Sequence, residues 1–473
     1  MNPSGDHIWR PSDGLSMAYT YYSEGNDFLE PKMLNQLGND GRAVGEFPIL
    51  YFGVAQLYKV FGQSDSIYRL TCWIIGFLGY FALFKTIEGV LGDFKWGIII
   101  SLLTFTSPIL IFYGISFLPD PISLSFVFIS YFFLHRYSKR KKLVYYTLGM
   151  LFMTLAALIK ITSLLSFIAI FTGIAIEHIS NKKAVKLNWR LISITTIAIL
   201  PIVAWIFFSK NYNLLNETSY FFLRIAPIWE LSYDEFWITV DHISNWTREY
   251  FYPTGRHLTY IIATLIVLPI FKKSLGKSIY YGYLFSVIGF IIFMILFFQQ
   301  FKNHDYYIIP LLFVIPFTFT IFLLKFSFII NKSNATKYTS QLVLTLLLIA
   351  SAVYATNRTE KRFNKQTDWV YEELYNFEHP IENFGIEQTD LVIIPADPSP
   401  NINLYAIKMK GWTKYNVGES VLKIDDAIAK GAKWMILPNR NTVQTGYLEK
   451  YLKNPVFEKN GILFYDLQPN PRN

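Results

Sequence analysis

The feature that most constrains this chain is a succession of apolar runs, each about 17 to 24 residues long and nearly free of charge, the length a helix needs to cross a hydrocarbon core of roughly 30 Å. Outer-membrane barrels present short alternating strands instead. Hydropathy and breaks place spans near 67–86, 97–116, 121–137, 143–159, 162–178, 190–209, 257–271, 279–299, 307–329 and 339–355. The composition agrees: 52% of the 473 residues are hydrophobic, 18% are aromatic and only 16% are charged, against roughly 25% charged in soluble domains. The chain reads as a polytopic α-helical membrane protein.

Charge distribution gives the expected sidedness. Arg136, Lys139, Arg140, Lys141 and Lys142 fall in one connection, Lys182, Lys183, Lys186 and Arg190 in the next but one, then Lys272, Lys273 and Lys277, then Lys332 and Lys337. Alternate connections are therefore basic, as cytoplasmic loops are. On this count residues 1–66 form a first extracytoplasmic loop and 67–355 the transmembrane region of about ten helices. Segment 210–256 is an aromatic-rich interfacial loop with amphipathic helices, and 356–473 returns to the extracytoplasmic face. The same clustering explains the net charge of +9 without nucleic acid. Residues 1–47 hold no apolar stretch that could act as a signal, so the reading expects a further spanning helix ahead of Met1.

Beyond residue 356 the pattern changes. Short apolar strands, Leu391-Val392-Ile393-Ile394-Pro395 and Trp434-Met435-Ile436-Leu437-Pro438, flank a helical stretch from Ile424 to Lys430 closed by Gly431, which predicts a small α/β domain. Cys72, the one cysteine, lies within an apolar run and reads as a small buried residue. Five Asn-x-Ser/Thr matches, beginning at Asn216, Asn245, Asn331, Asn334 and Asn357, read as chance because two of them fall in a basic loop.

Several charged residues stand at the outer ends of spans. Asp13 lies in His7-Ile8-Trp9-Arg10-Pro11-Ser12-Asp13, Glu46 in Gly45-Glu46-Phe47-Pro48, and Asp120 in Leu118-Pro119-Asp120-Pro121. A carboxylate beside apolar walls can have its pKa raised and serve as a general base for a hydroxyl. Each acid also has a plain reading as a helix cap, Asp120 above all. Lys160 sits at a turn between two apolar runs, where an ammonium can bind a lipid phosphate as a point charge or simply snorkel. Arg69, at the outer end of the first run, is a weaker candidate of the same kind. Lys302-Asn303-His304-Asp305-Tyr306-Tyr307 enters a late span from the same face. His304 could bind a phosphate or a sugar hydroxyl, Tyr307 reads as an interfacial anchor, and no metal motif accompanies them. No nucleotide-binding or G-x-S-x-G pattern is present.

Taken in order, His-x-Trp-Arg with Asp13, Glu46-Phe47-Pro48, Pro119-Asp120, Lys160 and His304-Asp305-Tyr306-Tyr307 resemble bacterial GT-C glycosyltransferases of the aminoarabinose-transferase and protein O-mannosyltransferase superfamily. The resemblance spans roughly residues 7–355. It implies a GT-C-like membrane fold in the cytoplasmic membrane. It also implies an extracytoplasmic, inverting transfer of a sugar from a polyprenyl-phosphate donor to a lipid, glycan or protein acceptor of the envelope. Asp13, Glu46 and Asp120 would be the catalytic acids, with Asp13 the base. Lys160, His304, Tyr306, Arg256 and Arg10 would bind the donor phosphate or substrate. A divalent metal is compatible with the chemistry but not indicated. The aminoarabinose enzymes' Glu-Lys-Pro-Pro is here Glu46-Phe47-Pro48-Ile49, which leaves the donor sugar open. The competing readings are a flippase for lipid-linked sugars, which would want ionisable groups near the bilayer midplane, and a non-catalytic anchor for the C-terminal domain.

Overall fold

The computed structural model describes residues 8–180, 189–221, 225–251, 277–330, 332–365, 370–371, 374, 385–438, 446–453, 455–459 and 461–468. These form two compact units, one of Met1–Tyr68, Phe208–Phe222 and Asn364–Asn473, the other of Arg69–Phe207 and Leu223–Phe363.

The first unit departs from the expected loop over 1–66, because two helices occupy it: α1 (Trp9–Ser23) and α2 (Ile49–Phe61). Helix α1 is buried continuously from Pro11 to Tyr21 although its sequence is half polar. Its Ser12, Ser16 and Thr20 hydroxyls find partners, Ser12 on the Trp9 carbonyl, Ser16 on Asn401 and Thr20 on the Lys32 carbonyl, so burial costs little. With no 3.6-residue apolar stripe, such a helix gives no amphipathic signal.

The α/β domain expected beyond residue 356 is present as a five-stranded mixed sheet with order β2-β1-β3-β5-β4. Strands β1 (Leu391–Ile394), β2 (Gly411–Thr413) and β3 (Ala432–Pro438) run parallel, whereas β5 (Ile462–Asp466) lies antiparallel to β3 and to β4 (Phe457–Lys459). Helix Val421–Ala429 makes the crossover into β3 and buries Ile424 and Ala427 against Ile393, Met435 and Leu437. Gly431, at φ +105°, turns the chain from that helix into the strand, as a helix-terminating glycine does.

The second unit is helical. Helices α3 (Asp65–Leu91), α9 (Trp189–Leu215) and α13 (Asn334–Phe363) are each long and apolar enough to cross a membrane unaided. Two further helix pairs pass the same test only when taken together, and each is bent at a short break. The expected run 97–116 divides into α4 (Phe94–Phe105) and α5 (Pro108–Gly114), bent by 77°, because Pro108 cannot continue the preceding helix. The run 307–329 begins as a 3-10 turn over Asp305–Leu311 and bends by 45° into α12 (Val314–Ile330). Helices α6 (Pro119–Arg140), α7 (Leu143–Ile159), α8 (Leu164–Ser180) and α11 (Lys277–Leu296) occupy the runs beginning at 121, 143, 162 and 279. The run 257–271 lies outside the described residues. Between α9 and α11, within the aromatic segment, stands α10 (Tyr233–Trp246), opened by a capping box between Ser232 and Glu235 and exposing Tyr233, Trp237 and Ile238.

Trp73, Phe77 and Phe81 on α3, Leu200 and Phe207 on α9, and Leu342, Leu346 and Val353 on α13 are exposed. Water would not tolerate so continuous an apolar surface, and lipid requires it. The chain is a multi-pass membrane protein.

Candidate active site

In the first unit the chemistry gathers on Arg10. One guanidinium nitrogen lies 3.2 Å from Asp13 Oδ2, and the other donates to Glu46 Oε2. Asp13 is wholly buried and accepts two more hydrogen bonds, from Tyr220 Oη and from Asn401 Nδ2, both at 2.8 Å. Burial pushes its carboxyl above the ordinary range, and Arg10, Asn401 and Tyr220 pull the other way without cancelling the effect. For Arg10 burial acts downward, but the charges of Glu46 and Asp13 outweigh it, so the guanidinium stays firmly protonated.

Local sequence explains each placement. Asp13 and Arg10 are i and i+3 neighbours on the buried α1. Glu46 follows a backbone pinned at Val44, where the Asn213 side chain accepts from the amide at 2.9 Å and donates to the carbonyl at 2.7 Å. Gly45 leaves room for the Phe221 ring, 2.9 Å from where a Cβ would stand, and that ring also lies under the Arg10 guanidinium at 4.9 Å. Asn401 comes from the tight turn Asp397-Pro398-Ser399-Pro400-Asn401. There the buried Asp397, its pKa pushed up to about 6 by desolvation, accepts from the Ser399 amide and hydroxyl and from the Asn403 amide.

In the second unit a different set converges on Lys160. Its Nζ lies 3.2 Å from Oδ1 of Asp120, which is fully buried, and sits 5.2 and 5.8 Å from the ring centroids of Tyr307 and Tyr306. His304 stacks on Tyr307 at 4.8 Å, and its Nδ1 lies 3.3 Å from the Tyr306 hydroxyl. Asp120 does not cap its helix. Leu118 holds the N-cap position, and Asp120 stands in the first turn with its carboxylate turned to the lysine. Lys160 ends α7 in extended backbone before a 3-10 turn, which is how an ammonium in so apolar a sequence reaches a partner. Arg69 anchors the approach to α6 by donating to the Ile115 carbonyl at 2.7 Å and stacking over Phe117, a residue at φ +62°.

Behind this platform lies a buried triad that sequence reasoning missed in part. Arg362 Nη2 is 2.8 Å from Asp305 Oδ2 and donates to Tyr113 Oη at 2.6 Å, while Tyr113 donates to Asp305 Oδ1 at 2.7 Å. Asp305 is thereby fixed between His304 and Tyr306. Thus Asp13, Glu46 and Arg10 meet in one unit, and Asp120, Lys160, His304 and Tyr306 in the other; Arg256 lies outside the described residues. Tyr220, Asn401 and Arg362 join them. Among these only Asn401 carried a local signal, in its Asp-Pro-Ser-Pro turn. Among the described residues no group of three or more His, Cys, Asp or Glu side chains could hold a metal ion.

Residues 47–208 match the family model described as dolichyl-phosphate-mannose-protein mannosyltransferase, a stretch that holds Asp120 and Lys160 and begins one residue after Glu46. In fold the chain is similar to ArnT from Cupriavidus metallidurans in the apo state, with a TM-score of 0.60 and 10% identity over 98% of this chain and 94% of that one. The same protein bound to undecaprenyl phosphate matches with a TM-score of 0.60 at 12% identity and the same coverage. The Archaeoglobus fulgidus oligosaccharyltransferase, in complex with Zn and sulfate, matches with a TM-score of 0.56 and 11% identity over 92% of this chain and 64% of that one. No curated protein matches at the level of sequence.

The fold and the family match point to one class, the membrane glycosyltransferases of the GT-C type: the chain shares their fold, and residues 47–208 match a glycosyltransferase family model. Within it, the sequence likeness to the mannosyltransferase family runs through the part of the chain that bears the Asp120–Lys160 pair, and the C-terminal sheet domain shares in the likeness by fold.

Proposed function

We propose that this chain transfers a sugar from a polyprenyl-phosphate donor to a hydroxyl-bearing lipid, glycan or protein acceptor, with inversion at the anomeric carbon, on the extracytoplasmic face of the cytoplasmic membrane. The observation that carries the reading is the Lys160 group: an ammonium held at a helix end against a buried carboxylate, beside two tyrosine rings and a histidine. A lipid phosphate presented there would meet a fixed cation, tyrosine hydroxyls and an imidazole, the donors that stabilise a phosphate leaving group. The family description and the undecaprenyl phosphate bound by the similar ArnT support a polyprenyl-linked donor.

To Asp13 and Glu46 we assign the acid–base part of the proposed reaction. Asp13, with its raised pKa, accepts the acceptor hydroxyl's proton as that oxygen attacks the anomeric carbon and the bond to phosphate breaks. Arg10 keeps both carboxylates oriented. The alternation of basic loops along the sequence supports an outward-facing site. Membrane vesicles supplied with a radiolabelled polyprenyl-phosphate sugar test the reading. Lys160→Ala and Asp13→Asn, compared with wild type at equal amounts of folded protein, should each abolish transfer, and transfer by either variant at the wild-type rate would overturn the role given to that residue.

A further inference from the structure

A cavity of about 230 Å³ opens in the helical unit at the end of α6 remote from Asp120. Its walls include α6 from Tyr131 to Lys141 and the chain from Phe313 to Leu324, stretches that each rise roughly 15 Å along the helix, with Ile170 to Glu177 of α8 beside them, so the lining is that of a slot. Leu134, Ile170, Ile174, Phe317 and Ile321 make its interior apolar. Polar residues line it as well, Thr86, His135, Tyr283 and Thr320 among them; Ser138 and Lys141 stand at the end of α6, Glu177 near the end of α8 and Ser278 at the start of α11. Glu177 already accepts the Ser278 amide at 3.2 Å. Lys141 is exposed and stands in a cluster with Lys139, Arg140 and Lys142, and Arg136 lies one turn earlier.

The slot is below the roughly 300 Å³ at which pockets for compact ligands begin, and it is long for its volume. It is shaped for a chain rather than a ring system. A lysine and arginine cluster beside a cleft between transmembrane helices is the setting in which anionic lipid headgroups bind, and here the cluster outweighs the one acid among the described lining residues, Glu177. We propose that this slot is a binding site for an anionic phospholipid, one acyl chain lying between α6 and α12 and the phosphate resting on Lys141. It lies at the far end of α6 from Asp120 and is independent of the transferase reading.

The test is lipid retention by the purified full chain, measured by native mass spectrometry after exchange into phosphatidylglycerol or phosphatidylcholine of the same chain length. Phosphatidylglycerol should be retained and phosphatidylcholine lost. Lys141 ends α6 at φ +53°, a backbone conformation asparagine tolerates, so Lys141→Asn removes the charge without strain. It should weaken retention about five-fold, the effect of one basic side chain at a membrane surface. Ile174→Trp, which fills the slot, should abolish retention, and thermal unfolding of the variant checks that it folds. If Ile174→Trp does not fold, Lys141→Asn alone decides. Inorganic phosphate at millimolar concentration should not displace the lipid. Equal retention of the two lipids, or retention unchanged in Lys141→Asn, would overturn the proposal, and displacement by phosphate alone would reduce the site to a simple anion contact and overturn the chain's part in it.

Discussion

Lys160 Nζ and Asp120 Oδ1 lie 3.2 Å apart, an ion pair that ties the first turn of α6 to the residue ending α7. Asp120 is fully buried and Lys160 nearly so. Removing one partner leaves the other's charge in a low-dielectric setting, at a cost of about 3–5 kcal/mol, whereas removing both is often close to neutral. Lys160→Met should therefore lower the unfolding temperature in detergent markedly, and the double variant Lys160→Met, Asp120→Asn should recover most of the loss. Additive losses would mean that the two charges do not interact.

The raised pKa of Asp13 gives a pH dependence with a definite sign. As pH rises through the ordinary carboxylate range, an unfolded chain ionises this residue first, so its contribution to stability is present at lower pH and is lost up to the raised folded value. Asp13→Asn should remove that segment of the profile of unfolding temperature against pH. With Asp13 as the base proposed above, transfer needs the ionised form, so the rate should rise with pH across the same interval. Arg10 lowers the Asp13 pKa, and Arg10→Met should therefore move the acid limb of the rate profile to higher pH. A limb that stays in place in Arg10→Met would detach Asp13 from proton transfer.

Arg362 is the largest fully buried side chain in the described structure, and both its named partners are buried with it. Arg362→Leu would take the Arg362 guanidinium away from the buried Asp305 carboxylate, again at a cost of about 3–5 kcal/mol. Tyr113→Phe deletes one neutral donor and should cost about 1 kcal/mol. Because Asp305 sits between His304 and Tyr306, Arg362→Leu should also reduce donor-phosphate binding by the stable remainder at low temperature, while Tyr113→Phe should leave it near wild type. Isothermal titration with a polyprenyl phosphate separates the two.

What was legible in the sequence followed from solvent. Apolar length marked the runs that hold α3, α6 to α9, α11 and α13, and short continuous apolar runs marked β1 and β3. Helix α1 was not legible, because its buried faces are satisfied by Asn401 and the Lys32 carbonyl, partners 385 and 12 residues away from Ser16 and Thr20. The bend after α4 could have been read at Pro108, but a hydropathy window averages across it. Asp13, Glu46, Asp120 and Lys160 stood out as charges in apolar surroundings. Tyr220 is one aromatic among several in its segment, and Arg362 stands among other basic residues, Arg358, Lys361 and Lys365. Only the long-range hydrogen bonds distinguish them.

Helices α8 and α11 cross where two glycines meet. A Cβ on Gly173 would stand 2.3 Å from the Ser278 carbonyl oxygen and 2.6 Å from the Gly282 amide nitrogen, both backbone atoms that cannot swing aside. Close approach of this kind is how membrane helices gain packing energy without a hydrophobic driving force between them. Gly173→Ala must push the helices apart, and overpacking costs about 1–3 kcal/mol. Gly76 on α3 is the control, since nothing lies within 4 Å of its would-be Cβ and alanine there improves helix propensity by up to about 1 kcal/mol. Unfolding in detergent should come earlier for Gly173→Ala and at or above the wild-type temperature for Gly76→Ala. Equal behaviour of the two variants would mean that the α8–α11 crossing tolerates a wider separation than its backbone contacts imply.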